Sequence, residues 1–483
     1  ELGPMTGEMG CYDEKTEVLT QSGWKYFRDV AFSDEFATLN PETNRMEYHR
    51  PSSIVNYTNH KKLLKIKNMA TDLMVTLDHN MFGQEANAYR KKQSLGFVRA
   101  KDLPNQFVAP RSAEWIGEEK PMFTLPAQSK LHYEGRSVKE KKLSSMIIQM
   151  DDWLAFLGIW IAEGCTNKRN NSVFITQVNP KKKPAIEQIL STLPFRFKRI
   201  KDGWICYDKR LSSYLKPLGN ALTKYIPQEY KQLAPRQLNI LFDYMCLGDG
   251  NKQKNGFRIY YTSSKLLADD VQELLLKIGR CGIIKSRMRK HAGIGSRLFK
   301  TINLSYEVIE RIKKTAVWID KRDAEIVNYT GAVYCVTVPY HTLYVRRNGK
   351  PLWCGNTLMY WSEPNTIFKM TLGKMEEKLR ESKYVGYVDI NCIATSKGVY
   401  PLEFTCRFGY PTISIQLEGI STPAGEWLYR LAKGDAFTIK TKKGFQIGVV
   451  IAVPPYPFDD KKVFATYKDS SILFKKPNMD GRH

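Results

Sequence analysis

At 483 residues the chain exceeds what one hydrophobic core can hold, so roughly two to four domains are expected. Its hydrophobic (42%) and charged (25%) fractions are those of a soluble globular protein, and no apolar run nears the ~18 residues of a membrane helix. The net charge of +25 is unusual and points to a polyanionic partner, most simply nucleic acid, with no membrane.

The chain opens on the loop-like "ELGPMTGEMG". From "CYDEKTEVLTQSGWKYF", residues 11–110 read as short strands: "TEVLT", "GWKYF", "EFATLN", "HKKLLKIK", "LMVTLD" and "GFVRA". Alternation and turn pairs such as Ser22-Gly23 and Asn40-Pro41 predict an all-β unit. Residues 111–320 mix helices and strands and hold 37 Lys+Arg against 20 Asp+Glu, so the basic part is internal and of domain size. Residues 321–356 return to strands in "AVYCVTV" and "TLYVRR" before the turn "NGK". Residues 357–483 mix helices and strands again.

The middle contains an internal repeat. "WLAFLGIWIAEG", the strand "SVFITQV" and the helix "KKPAIEQILSTL" are followed by "LNILFDYMCLGDG", "GFRIYYTSS" and "KLLADDVQELLLKIG". A duplicated helix–strand–helix order predicts pseudo-twofold symmetry. Trp153, Phe156, Leu157 and Trp160 follow the helical period, as do Leu238, Leu241, Phe242 and Met245. Asp152 is the expected N-cap of the first helix and Gly164 its C′ residue; Pro235 opens the second. Each helix ends in a small residue, an acid and glycine, with Glu163 and Asp249 86 residues apart. Small residues let two helices approach closely, which would bring both carboxylates to one end. A carboxylate at a helix C-terminus is disfavoured by about 0.3–1 kcal/mol. Divalent ions would relieve that cost and the mutual repulsion, and such ions drive phosphodiester hydrolysis. One such acid alone would be an ordinary solvated terminus; two in matched basic repeats are not.

"LGIWIAEG" and "LFDYMCLGDG" resemble the paired motifs of the double-motif LAGLIDADG homing endonucleases. "TKYIPQEY" resembles the family's Lys-x-Ile-Pro block and offers Lys224 as an electrostatic stabiliser. The resemblance spans about 200 residues. It implies an α+β saddle of two sheets acting as a monomer on a long double-stranded DNA site. It also implies Mg²⁺ held by Glu163 and Asp249. Lys181, Lys182 and Lys183, then Arg196, Lys198, Arg199 and Lys201, then Arg287, Arg289 and Lys290 are candidate phosphate contacts.

The flanking β pieces resemble the splicing blocks of an intein, an all-β Hint horseshoe split by the nuclease. The residues are Cys11-x4-Thr16-x-Val18-x-Thr20-x2-Gly23, then Thr76-x2-His79, then "VYCVTVPYHTLYVRRNGKPLWCGN". The resemblance implies that Cys11 attacks the Gly10 carbonyl to give a thioester, with Thr76 and His79 activating the scissile bond. Thr357 then takes the acyl group, Asn356 cyclises with help from His341, and an O-to-N shift joins Gly10 to Thr357. No cofactor is needed. Gly355 stands where the family usually has His, and Cys335 where it often has Asp. Restoring the donor by Gly355→His should therefore speed the last step.

Joining the flanks, residues 1–10 and 357–483, gives a segment that resembles the C-terminal part of phosphoribosylamine–glycine ligase, an ATP-grasp enzyme. The carrying stretches are "GYVDINCIATSKGVYPLEFTCRFGYPT" and "GVVIAVPPYP". The complete host enzyme would use ATP and Mg²⁺, and Glu403 matches a metal ligand. Thr405, Tyr410 and Thr412 depart from the family's Asn, Asp and Glu, so the host is a diverged relative. Alternatives to a splicing, DNA-cutting chain are an intein with a degenerate nuclease, or a ligase with an inert insertion. Nine cysteines without a C-x-x-C pair argue against a disulfide framework or zinc site and suit a reducing, cytoplasmic setting. No signal peptide is visible, although the chain opens on Glu1.

Overall fold

The computed structural model describes residues 10–355 apart from 42, 135–136, 168–170, 254–255, 295–296 and 313–314, together with parts of 368–466. The chain divides into two compact units, Thr6–Met359 and a second formed by Glu1–Met5 with Tyr360–His483. Asn356, Thr357 and Tyr410 lie outside the described residues.

In the first unit, the N-terminal and late β segments interleave. Tyr12–Asp13, Ala324–Thr337, Ser53–Lys67 and Asp72–Val75 close a barrel in that order. Lys350–Gly355, Thr342–Arg347, Glu17–Thr20, Phe36–Leu39 and Met46–His49 form a second sheet, so the two chain segments share strands in both. All six strands anticipated before residue 110 are present. The return to this β part begins earlier than residue 321, because Ala316–Asp320 pairs antiparallel with Gln106–Pro110. A buried apolar cluster that includes Cys11, Leu64, Val75, Met81, Val336 and Leu352 fills the barrel side.

The middle segment is built on two helices, Met150–Glu163 and Pro235–Asp249, which pack against each other. The eight apolar positions picked out by their period are fully buried. Gly158 and Gly248 allow the close approach. A Cβ on Gly158 would lie 2.7 Å from Leu241 O, and one on Gly248 only 2.4 Å from Ala162 Cβ. The first helix starts a turn before the expected cap: Gln149 is the N-cap, and Asp151 and Asp152 sit in the first turn, where carboxylates favour the dipole. Gly164 and Gly250 do not take the left-handed C′ conformation. Both are extended and begin the next strand.

Each helix feeds a four-stranded antiparallel sheet. In chain order the first comprises Gly164–Asn167, Ser172–Thr176, Phe197–Ile200 and Gly203–Tyr207. The second comprises Gly250–Lys252, Arg258–Thr262, Cys281–Ile294 and Arg297–Arg311. In both, the spatial order is first, second, fourth, third, so the duplication read in the sequence is present in the pairing. The halves differ in that the last two strands of the second sheet are far longer. A two-stranded sheet, Met122–Leu125 with Met146–Gln149, and a hairpin, Gln128–Glu134 with Ser137–Leu143, precede the first repeat; neither was anticipated.

The β part and the second repeat are tightly joined. Helix Lys265–Lys277 packs on strands of the β part: Leu276 lies in one cluster with Leu19, Tyr344 and Trp353. Arg346, 1% exposed, donates two hydrogen bonds of 2.7 Å to Glu17 and one of 2.8 Å to Gln272 Oε1, and pairs with Asp269 at 2.7 Å. In the second unit, Asp389–Thr395 pairs antiparallel with Gly398–Thr405, and helices Thr412–Gly419 and Ala424–Lys433 follow. Among the described residues no helix is long and apolar enough to cross a membrane.

Candidate functional site

Two centres emerge, both in the first unit. At the first, the ends of the Cys11–Gly355 segment converge. The Cys11 amide donates to Thr76 Oγ1 at 3.0 Å and the Thr76 amide donates back to Cys11 O at 3.0 Å. His79 Nδ1 faces Gly10: a Cβ built there would sit 3.2 Å from it. Its Nε2 lies 3.2 Å from Cys354 Sγ. Tyr12 bridges both junctions. Its ring stands edge-on to His79 at 4.5 Å, and its hydroxyl donates to the Gly355 carbonyl across 343 residues of sequence.

This centre is dry. Cys11, Tyr12, His79 and Cys354 are each fully buried. Desolvation, with Cys335 nearby, pushes the Cys11 thiol well above its ordinary value. Burial pushes Cys354 up to about 12 and lowers His79 to about 3, the latter opposed by the nearby Gly10 backbone, while His79 Nδ1 is buried without a hydrogen-bond partner. Tyr12 is raised by the same cause, with Cys354 and Cys335 adding to it. The register explains the role of Cys335: Tyr12 pairs with Tyr334 and Asp13 with Val333, so Cys335 stands opposite Cys11.

His341 precedes Thr342, whose Cα partner is Gly355, the last described residue of the C-terminal strand. His341 and Tyr340 both have positive φ, 53° and 65°, a strained pair for non-glycine residues. Gly355 overturns the expectation for Gly355→His. A Cβ there would lie 2.1 Å from the Asn80 carbonyl oxygen, a backbone atom, so a histidine cannot enter without moving the strand. The glycine is a packing requirement, and the missing donor has no room. Sequence reading passed over Tyr12 and Cys354, because their roles depend on contacts that no local motif signals.

The second centre lies at the C-terminal ends of the paired helices. Glu163 and Asp249 are both half-buried, and a Cβ on Gly248 would lie 3.4 Å from Glu163 Oε1. Gln177 Nε2 donates to Glu163 Oε1 at 2.7 Å. Burial raises the Glu163 carboxyl above its usual range, with Lys182, Gln177 and Lys224 opposing. Tyr260, fully buried and paired with Gly250, is raised mainly by burial, and the charges of Asp249 and Glu163 add to it.

Each helix end carries a lysine. Lys224, 4% exposed, donates to Trp160 O, Ile161 O and Gly164 O at 2.9, 2.7 and 2.7 Å. Lys182 donates to Gly248 O at 2.6 Å on the other helix. Cations on C-terminal carbonyls complement the macrodipole. Burial lowers Lys224 to about 8, opposed by Asp249, Cys165 and Glu163. Lys182 thus faces the helix end within this centre, unlike an outward phosphate contact. Lys181 is exposed and Lys183 begins helix Lys183–Thr192. Arg196, Lys198 and Arg199 are exposed, the last two on the edge strand of the first sheet. Arg287 is exposed on the equivalent edge strand of the second, which also contains Arg289 and Lys290.

The oxygen-only donor set of Glu163 and Asp249 fits a hard cation such as Mg²⁺, which commonly binds through one or two carboxylates plus substrate phosphates. In the second unit, Glu403 is exposed and accepts from Asn391 Nδ2 at 2.9 Å. Among the described residues no group of three or more His, Cys, Asp or Glu side chains could hold a metal ion there or elsewhere.

No family model matches the chain. It is 31% identical over 289 residues to an ATP-dependent Clp protease proteolytic subunit of Chlamydomonas moewusii, covering 57% of this chain and 28% of that one. It is 29% identical over 403 residues to the DNA-directed RNA polymerase subunit beta C-terminal section of Stigeoclonium helveticum, covering 72% and 36%. A phosphoribosylamine–glycine ligase of Mycobacterium tuberculosis matches over 103 residues at 27% identity, covering 20% and 24%. The chain thus spans about a quarter to a third of these relatives. Among solved structures, the homing endonuclease I-DmoI in complex with DNA and manganese has 12% identity and a TM-score of 0.23, covering 33% of this chain and 89% of that one. The PabCDC21-1 intein has 17% identity and a TM-score of 0.18, covering 29% and 82%.

Proposed function

We propose that residues 11–356 excise themselves and join Gly10 to Thr357, and that the middle segment cuts double-stranded DNA. The observation that carries the first part is the single pocket in which Thr76 and His79 meet the Gly10–Cys11 bond while Tyr12 holds Gly355. Cys11 sulfur attacks the Gly10 carbonyl, the C–N bond breaks, and the freed amine takes the proton. The Thr357 hydroxyl displaces the Cys11 thiol. The Asn356 side-chain nitrogen attacks its own carbonyl and breaks the bond to Thr357. The liberated Thr357 amine then receives the acyl group from its own oxygen. In the dry pocket a neutral His79 can hydrogen-bond to the scissile bond or accept a proton without bringing a charge in beforehand.

The match of 57% and 72% of this chain to a protease subunit and a polymerase section supports an element that moves between unrelated hosts. The shorter ligase match supports a purine-ligase-like host. For the DNA-cutting part, support comes from two carboxylates on abutting helix ends, each lysine-capped, with exposed basic edge strands on matched sheets. Glu163 and Asp249 would hold Mg²⁺, which polarises a phosphodiester and activates water. The duplex partner would be the uninterrupted host junction, bound by one chain through both repeats in a cytoplasmic setting. Mass spectrometry of freshly made protein tests the reading. Ligated flanks and a free 346-residue segment are expected. One intact polypeptide with inert junctions would make this a ligase with a silent insertion.

A further inference from the structure

We propose that Tyr12 is the positioning residue of the C-terminal junction: its hydroxyl holds the Gly355 carbonyl and so aims the chain that enters Asn356 for cyclisation. This rests on the splicing reading above and deepens it. Asn356 has to bring its side-chain nitrogen onto its own carbonyl carbon, a reaction that depends on orientation. The residue before it is a glycine, whose backbone has the most freedom to lose. A peptide is planar, so a held carbonyl sets the direction in which the chain leaves it. A phenol has one hydrogen to give and a carbonyl oxygen none, so Tyr12 is the donor and Gly355 the acceptor.

The hydroxyl is itself held in place. Tyr12 is fully buried, and its backbone pairs with Tyr334 and with Val75. Its ring stacks on Phe27, with centroids 4.8 Å and planes 10° apart, and stands edge-on to His79 at 4.5 Å. Gly355 also abuts backbone: a Cβ there would lie 2.1 Å from the Asn80 carbonyl oxygen. The amide nitrogen of the same Asn80 borders the first junction, 3.3 Å from a Cβ built on Gly10. Position 355 therefore has no room for a donor of its own, and Tyr12 supplies one from the other end of the segment. The link also outlasts the first cleavage. Tyr12 and Gly355 both lie inside the excised segment, between the two bonds that break. The Thr76 amide holds the Cys11 carbonyl at 3.0 Å, so Tyr12 keeps its place when the Cys11 nitrogen is released.

The test follows the full chain by mass spectrometry. Tyr12→Phe removes the hydroxyl and keeps the ring. The branched intermediate, with the N-terminal flank on the Thr357 hydroxyl, should build up over spliced product by about ten- to a hundredfold, the cost of a misplaced reacting group. 3-Fluorotyrosine at position 12, which keeps a hydroxyl, should splice without that build-up. In the Asn356→Ala chain, whose C-terminal junction stays joined, the ¹³C frequency of the Gly355 carbonyl should move when Tyr12 is replaced by 3-fluorotyrosine or by Phe. A Phe variant with no excess of branch, or one that is folded but stalls as unreacted precursor, would overturn the proposal while leaving splicing intact. A Gly355 carbonyl indifferent to fluorination would overturn it even if the Phe variant failed to fold. Neither branch nor product in the parent would instead sink the splicing reading.

Discussion

Around Gly10 and Gly355 the buried titratable groups are held neutral, whereas around Glu163 and Asp249 charges of both signs stand together. The junction pocket buries Cys11, Tyr12, His79 and Cys354 completely. The acid centre is half open, and two lysines on the helix ends balance its carboxylates. On the function proposed above, the difference follows what each centre would handle. Peptide rearrangement inside one chain moves no net charge in or out, and water would hydrolyse the thioester. A centre for an external polyanion has to stay reachable and hold cations near phosphate. Low dielectric serves the first and would defeat the second.

The comparison is broken most completely at its nucleophile and acids. Cys11→Ala should abolish ligation, and Asn356→Ala should stop at a thiol-cleavable thioester; DNA cleavage should persist in both. Conversely, Glu163→Gln and Asp249→Asn should each abolish double-strand cutting of the joined-flank coding sequence with Mg²⁺, while binding, measured by gel shift, stays and weakens steeply as salt rises. Splicing should be untouched by either acid change; ligated product lost in Glu163→Gln would refute the separation of the centres.

Next in size is Gly355→His. The steric clash with Asn80 predicts slower cyclisation and accumulation of branched intermediate on gels, contrary to the motif-based expectation. Overpacking of this kind costs about 1–3 kcal/mol. Gly248→Ala should impose a similar penalty at the acid centre through Ala162, lowering cleavage and the urea midpoint while sparing splicing.

The smallest effect is on pH. Glu163 is raised, so its carboxyl stays protonated, and unable to hold a cation, to higher pH than an ordinary carboxylate; cleavage should fall on the acid side accordingly. Lys224 is lowered to about 8, so above that pH its positive charge disappears from the helix end and cleavage should fall again. Lys224→Met should flatten the alkaline limb of the single-turnover rate. Thioester formation should do the reverse of this bell and climb steadily with pH, because the raised Cys11 thiol must lose its proton.

Much of this was legible from sequence because it repeats or because its parts carry distinctive spacing. The duplicated helices announced themselves through the matched acid–glycine endings, and the buried positions followed the 3.6 period. What was not legible depends on contacts between distant segments. Gly355 looked like a missing donor until Asn80 stood against it. Lys182 looked like one of three surface lysines until its ammonium met Gly248 on the other repeat. Tyr12 and Cys354 carry no motif of their own. The first-helix cap was misplaced because three polar residues precede Trp153 and any could have started the turn.

Arg346 has a consequence for how such a chain can change over generations. Its buried guanidinium on strand Thr342–Arg347 is held by Glu17 of the β part on one side and by Asp269 and Gln272 of helix Lys265–Lys277 in the second repeat on the other. Removing one partner of a buried ion pair costs up to about 3–5 kcal/mol, a large part of a domain's stability, and losing the helix would leave Arg346 only its Glu17 partner. Drift can therefore silence Glu163 or Asp249 at no cost to folding, but it cannot discard the helix. The middle segment, which we propose cuts DNA, is held as a structural tenant, and its scaffold should outlast any such activity.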